Sequence, residues 1–73
     1  MDKVLNGVIT AIKVAGYGFI RDEQQHCRFF HANDLVNAQF NELVPNLVVE
    51  FEPLDGLLHA GNGRRAERVR IIG

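Results

Sequence analysis

Tyr17 and Phe19 stand two residues apart, and Phe29 and His31 repeat that spacing a little further along the chain. In an extended strand, residues two apart project from the same face. Only a short polar stretch, residues 22–25, separates the two segments, so their strands are neighbours and the four flat side chains share one surface. Ile20 and Phe30 fall on the opposite parity and point toward a core. Gly16 and Gly18 interleave with the first pair, and a glycine on the far face lets another strand approach closely. Burying each ring would be worth about 1.5–3 kcal/mol, so rings turned to water need a use. The use that suits flat rings on a sheet is base stacking, worth ~1–3 kcal/mol per base and tolerant of sequence. With the faces exchanged, Tyr17, Phe19 and Phe29 become ordinary core. A platform for unpaired bases is the expected arrangement.

Lys13, Arg21 and Arg28 are the cations nearest these rings, with Lys13 the first choice for a phosphate contact, which would position a ligand without specifying it. Arg64 and Arg65 either flank the path of a bound strand or form a solubilising rim paired with Glu67. His26, Cys27, His31 and His59 match no zinc-ligand spacing, so no metal is expected. No nucleophile stands beside a base in a recognisable motif, and Glu50 and Glu52 are explained as the charged side of an edge strand. Gly61-Asn62-Gly63 is too short to cradle a phosphate and reads as a turn. These observations point away from an enzyme and from a cofactor.

The elements that must hold the rings follow from length and pattern. Seventy-three residues make one domain, expected to span residues 1–73. Hydrophobic residues at 47% and charged residues at 23% are those of a globular chain. No apolar run reaches the roughly 18–20 residues of a membrane span, and the first residues do not read as a secretory signal. Cys27, the single cysteine, has no internal disulfide partner, so a reducing, cytoplasmic setting is expected. Eight Lys+Arg against nine Asp+Glu give a net charge of −1, low for a nucleic-acid binder. The charge is nevertheless lopsided: Arg64, Arg65, Arg68 and Arg70 cluster near the C-terminus, while residues 33–60 carry only the acids Asp34, Glu42, Glu50, Glu52 and Asp55.

Short apolar runs punctuated by Gly, Asn and Asp predict five strands, over residues 3–12, 17–21, 26–31, 47–52 and 64–72. The first is expected to bend or bulge at Gly7. The first three form an antiparallel meander through turns at 13–16 and 22–25. Residues 32–35 suit one helical turn, 36–46 a long loop closed by Pro45, and 53–63 a second loop. Val49, Phe51, Val69 and Ile71 face inward, with Glu50, Glu52, Arg68 and Arg70 outward. So many short strands in so small a chain leave exposed edges unless the sheet closes. The expected fold is therefore all-β, a small five-stranded antiparallel Greek-key barrel of OB type, with an SH3-like barrel as the nearest alternative.

The motifs also carry a family resemblance. Ala15-Gly16-Tyr17-Gly18-Phe19-Ile20 resembles the first ribonucleoprotein motif of the cold-shock domain family, Lys-Gly-Phe-Gly-Phe-Ile, and Phe29-Phe30-His31 resembles the Phe-Val-His of its second. Gly7-Val8-Ile9, Val49-Glu50-Phe51 and Ala66-Glu67-Arg68-Val69 are similar to the family's opening, fourth-strand and closing motifs. The resemblance implies an OB-type barrel that binds single-stranded RNA or DNA, with pyrimidine-rich segments preferred, and that melts weak RNA structure. It places Tyr17, Phe19, Phe29 and His31 at base-stacking positions, and Phe40 at a further aromatic position, although Phe40 could equally cap the barrel mouth.

Departures are concentrated in the same region. Thr10-Ala11-Ile12 stands where the family has Lys-Trp-Phe, the turn that follows is one residue shorter, Ala32 replaces a Phe, and Ala15 a Lys. Arg28 occupies a position usually apolar and inward. Those losses motivate a second expectation, a barrel of the same ancestry used for protein interaction or dimerisation through residues 10–12 and the apolar loop at Leu43-Val44. A monomer is the first expectation for the molecule in solution. Strand exchange through residues 36–46 would be the route to a dimer.

Overall fold

Alternating burial decides which side chains enter this barrel. The computed structural model describes residues 4–55 and 64–72. Five strands, β1 (Leu5–Lys13), β2 (Tyr17–Asp22), β3 (Cys27–His31), β4 (Val48–Asp55) and β5 (Arg64–Ile71), form a closed barrel in the order β1-β2-β3-β5-β4. Ile9, Ile20, Phe30, Val49, Phe51 and Val69 send their side chains inward and are fully buried, and Ala66 and Leu43 complete the core. The all-β five-stranded barrel expected from the sequence is therefore the fold. One pairing differs in direction: β3 meets β5 in parallel, at Phe29 and Arg65, while the other strand pairs are antiparallel.

The irregularities are not all where the sequence suggested. β1 bulges between Ile9 and Ala11, not at Gly7, and the Thr10 hydroxyl at the bulge donates to the Phe19 carbonyl at 3.4 Å. Gly7 serves close approach instead. A Cβ there would stand 2.6 Å from Ile20 Cγ2 and 2.8 Å from the Arg21 carbonyl oxygen, distances real side chains do not tolerate. β4 also runs further than expected, through Pro53 to Asp55. Pro53 stands opposite Ala66 in the β4–β5 register. The rest of the expected second loop, with His59 and the Gly61-Asn62-Gly63 turn, lies outside the described residues, as does Lys3.

The expected helical turn after β3 is a 3-10 turn, Ala32–Asp34, and the long connection contains a second, Phe40–Glu42. That connection is fastened to the barrel. The Asn37 side-chain amide donates to the Ile71 carbonyl at 3.2 Å and accepts from the Ile71 N–H at 3.0 Å, as a strand backbone would. Val36 N–H donates to the Val69 carbonyl, and Leu43 inserts into the core from the same connection. Leu43 and Ile12 thus pack inward, which leaves Val44 as the exposed part of the apolar loop proposed for partner contact.

Candidate nucleic-acid interface

The turn between β1 and β2 sets the edge of the site. Gly16 adopts φ +101°, a backbone conformation that L side chains rarely take, and its N–H donates to the Lys13 carbonyl at 3.0 Å. Nothing would crowd a Cβ at Gly16, so this glycine serves the turn and not the close approach expected of it. Gly18 does serve close approach: a Cβ there would lie 2.6 Å from the Ala11 carbonyl oxygen and 2.9 Å from the Phe30 ring. With Gly18 and Ile20 directed inward, Tyr17 and Phe19 are left on the outer face.

Register then assembles the rings. Phe19 lies opposite Phe29 and Tyr17 opposite His31 in the β2–β3 ladder. The diagonal pair is the stacked one: Tyr17 and Phe29 have centroids 5.4 Å apart and planes at 26°. Phe19 meets both edge-on, at 5.9 Å from Tyr17 and 6.0 Å from Phe29. All three rings are half-buried, partly by one another, so the sequence placed them on the correct face while overstating their exposure.

His31 is exposed at the end of β3, and its orientation is fixed by the turn that follows. Its Nδ1 accepts from the Asn33 N–H at 3.1 Å, and its own N–H donates to Asp34 Oδ2 at 2.9 Å. Lys13, exposed at the end of β1, pairs with Tyr17 in register and so stands at the rim of the ring cluster. Phe40 is half-buried and packs against the core cluster, the place the capping alternative gave it.

Arg28 is withdrawn from the interface. It is 3% exposed and reaches inward, where Nε donates to Asp22 Oδ2 at 2.8 Å and a terminal nitrogen donates to the Arg65 carbonyl at 3.0 Å. Asp22, 2% exposed, also receives the N–H groups of Gln24 and His26 on Oδ1, each at 2.9 Å. Burial alone would push the Asp22 carboxyl up. The Arg28 hydrogen bond, the two backbone N–H donors and the guanidinium charge together outweigh it and hold the carboxyl below its ordinary value. The phosphate role open to Arg28 in the sequence is therefore replaced by a structural one. An inward arginine needs a buried acid, and no local pattern marks Asp22 as that acid.

Arg65 also reaches the ring cluster, from β5. Its guanidinium carbon lies 5.3 Å from the Phe29 ring centroid, and a terminal nitrogen stands 3.7 Å from Asp34 Oδ2. The sequence signal, two arginines just after a turn, was present. What brought Arg65 to the rings is the parallel β3–β5 contact, made between residues far apart in the chain. Among the described residues, no group of three or more His, Cys, Asp or Glu side chains is placed to hold a metal ion.

Comparison with known proteins adds three findings. The family model described as "'Cold-shock' DNA-binding domain" matches residues 5–72. Among solved structures, drosophila Unr CSD456 superimposes with a TM-score of 0.75 at 27% sequence identity, over 99% of this chain and 28% of that one. The chain therefore spans little more than a quarter of that neighbour's length. No curated protein matches the sequence.

Proposed function

The chain belongs to the cold-shock DNA-binding domain family, a nucleic-acid-binding and non-enzymatic fold, and from that premise we propose that it binds single-stranded RNA or DNA on the outer face of β2 and β3. The observation that carries the reading is the contact cluster of Tyr17, Phe19 and Phe29, flanked by His31 and Lys13. Flat rings accept bases only when those bases are unpaired, because a duplex keeps its π-faces stacked inside. Bases stack on the rings and on His31, while Lys13 meets the phosphates. Phe40, on the core side of the long connection, supports the fold of that connection and contributes a ring only at the margin.

The same preference for unpaired bases makes the protein a melter of weak RNA structure, and the family resemblance favours pyrimidine-rich segments. It acts as a monomer in the cytoplasm. Affinity is modest, since Ala11 and Ala32 stand where the family resemblance would place two further rings. At ~1–3 kcal/mol per stacked base, each missing stack weakens binding roughly five- to 150-fold.

An amide chemical-shift titration with short oligo-T and oligo-U at low salt tests the reading. Shifts centred on Tyr17, Phe19, Phe29 and His31 are the expected result. Phe19→Ala is expected to weaken binding by the same roughly five- to 150-fold. A parent that shows no shifts at millimolar oligonucleotide, or a Phe19→Ala variant that binds equally well, would overturn it.

A further inference from the structure

The two arginines beside Phe29 differ in how completely they are bonded. Arg28 is engaged through short hydrogen bonds at 2.8 and 3.0 Å within the barrel. Arg65 is not. Its Nε is buried without a hydrogen-bond partner, and its ionic contact to Asp34, at 3.7 Å, is far longer than the roughly 2.7–2.9 Å of a charge-assisted hydrogen bond. Asp34 is itself committed, since the same Oδ2 accepts the His31 N–H at 2.9 Å. A guanidinium offers five donors in a planar fork that matches two oxygens at once. In this protein that fork lies over the outer ring cluster with its donors under-used.

We propose that Arg65 is a ligand-recruited phosphate contact, resting over Phe29 in the free protein with Asp34 as a loose placeholder and turning its fork onto a backbone phosphate when a strand stacks on the rings. The inference rests on the stacking reading above and adds to it a named cation on the β5 side, opposite the rim occupied by Lys13. Position supports it: Arg65 is the β5 residue in direct register with Phe29. Chemistry supports it as well, because a phosphate supplies the paired oxygens that a carboxylate at 3.7 Å, already used by His31, does not. The side chain is free to move without loosening the barrel, since it is the Arg65 backbone carbonyl that holds Arg28.

The test is the affinity for oligo-T, measured between roughly 50 and 200 mM salt, for the parent, Arg65→Ala, Arg65→Lys, Asp34→Asn and Phe19→Ala. Arg65→Ala is expected to bind about tenfold more weakly, with its log–log salt slope shallower by about 0.7, the value of one single-strand phosphate contact. Arg65→Lys keeps the charge without the fork, so the slope returns while only part of the affinity does. Asp34→Asn retains an oxygen for the His31 N–H, removes the competing charge and binds more tightly. Arg65→Ala with the parent's affinity and slope would overturn this inference alone. Loss of the slope change in Arg65→Ala with Phe19→Ala harmless would overturn both readings. A slope change with Phe19→Ala harmless would overturn stacking and leave the phosphate contact standing. Should Arg65→Ala fold poorly, Arg65→Lys decides: full parental affinity overturns the fork.

Discussion

At the scale of single residues, the barrel contains a buried ion pair where its relatives by resemblance carry an apolar side chain. Asp22 bonds Arg28 and the 22–25 turn at once, so removing it takes an ionic partner from the guanidinium and an acceptor from two backbone N–H groups. Asp22→Asn is expected to cost about 1.5–3 kcal/mol, the loss of a buried charge-assisted hydrogen bond, measured as a fall in the urea midpoint at neutral pH. Adding Arg28→Met to that variant should bring the total cost to less than the sum of the two single substitutions, because the pair couples them. The pH dependence has a definite sign. The folded carboxyl titrates below its ordinary value, so the pair contributes fully above the unfolded pKa of about 3.9 and loses its contribution as pH falls through the lower folded value. Urea midpoints from neutral pH to pH 2 should fall more steeply for the parent than for the double variant. This pair also marks a limit of sequence reading. The family resemblance placed Arg28 at an inward position, but the acid that makes that tolerable sits across the β2–β3 turn and looks like an ordinary turn residue. The ring positions were legible, by contrast, because strand parity is local and needs no partner.

At the scale of the elements, two glycines on β1 and β2 bring the strands to the separation that the core requires. Gly18 sits over the Phe30 ring and against the Ala11 carbonyl, neither of which can yield without moving the ladder. Gly18→Ala is expected to destabilise by about 1–3 kcal/mol through overpacking, with thermal unfolding as the readout, and to weaken oligonucleotide binding by tilting Tyr17 and Phe19. Arg68 presents the opposite case, an L-residue at φ +51° where β4 and β5 slip register between Glu50 and Glu52. A left-handed conformation costs such a residue roughly 1–2 kcal/mol, and its ion pair with Glu52 at 3.5 Å is too exposed to offset much. Arg68→Gly should therefore be neutral or raise the melting temperature, and a clear fall would contradict the strain. The sequence predicted Arg68 outward and was right. It could not show the bulge, which is set by how two distant strands meet.

On the scale of the whole molecule, a net charge of −1 hides an arrangement suited to a weak, reversible ligand. Lys13 and Arg65 lie on opposite sides of the ring cluster, while Arg68 and Arg70 are engaged elsewhere by Glu52 and Glu50. Few phosphates can then be met at once. The parent's salt slope should be no steeper than about −1.4, that of two single-strand contacts, and a much steeper slope would mean that further cations, such as Arg21 or Arg64, also meet phosphates. Five strands and their closure into a barrel were readable from alternation and turn residues. The direction of the final pairing was not, because β3 and β5 are brought together by the barrel and not by any turn between them.

That final pairing is a seam. Phe29 and Arg65 are the residues that meet across it, and they are also two of the residues the bound strand is proposed to touch. A ligand lying there would act as a clasp across a joint made from distant parts of the chain, the kind of contact that forms late and opens early. Amide hydrogen exchange along β5 would slow on binding more than exchange on β1, so the act of holding a nucleic acid would also be the act of holding the barrel shut.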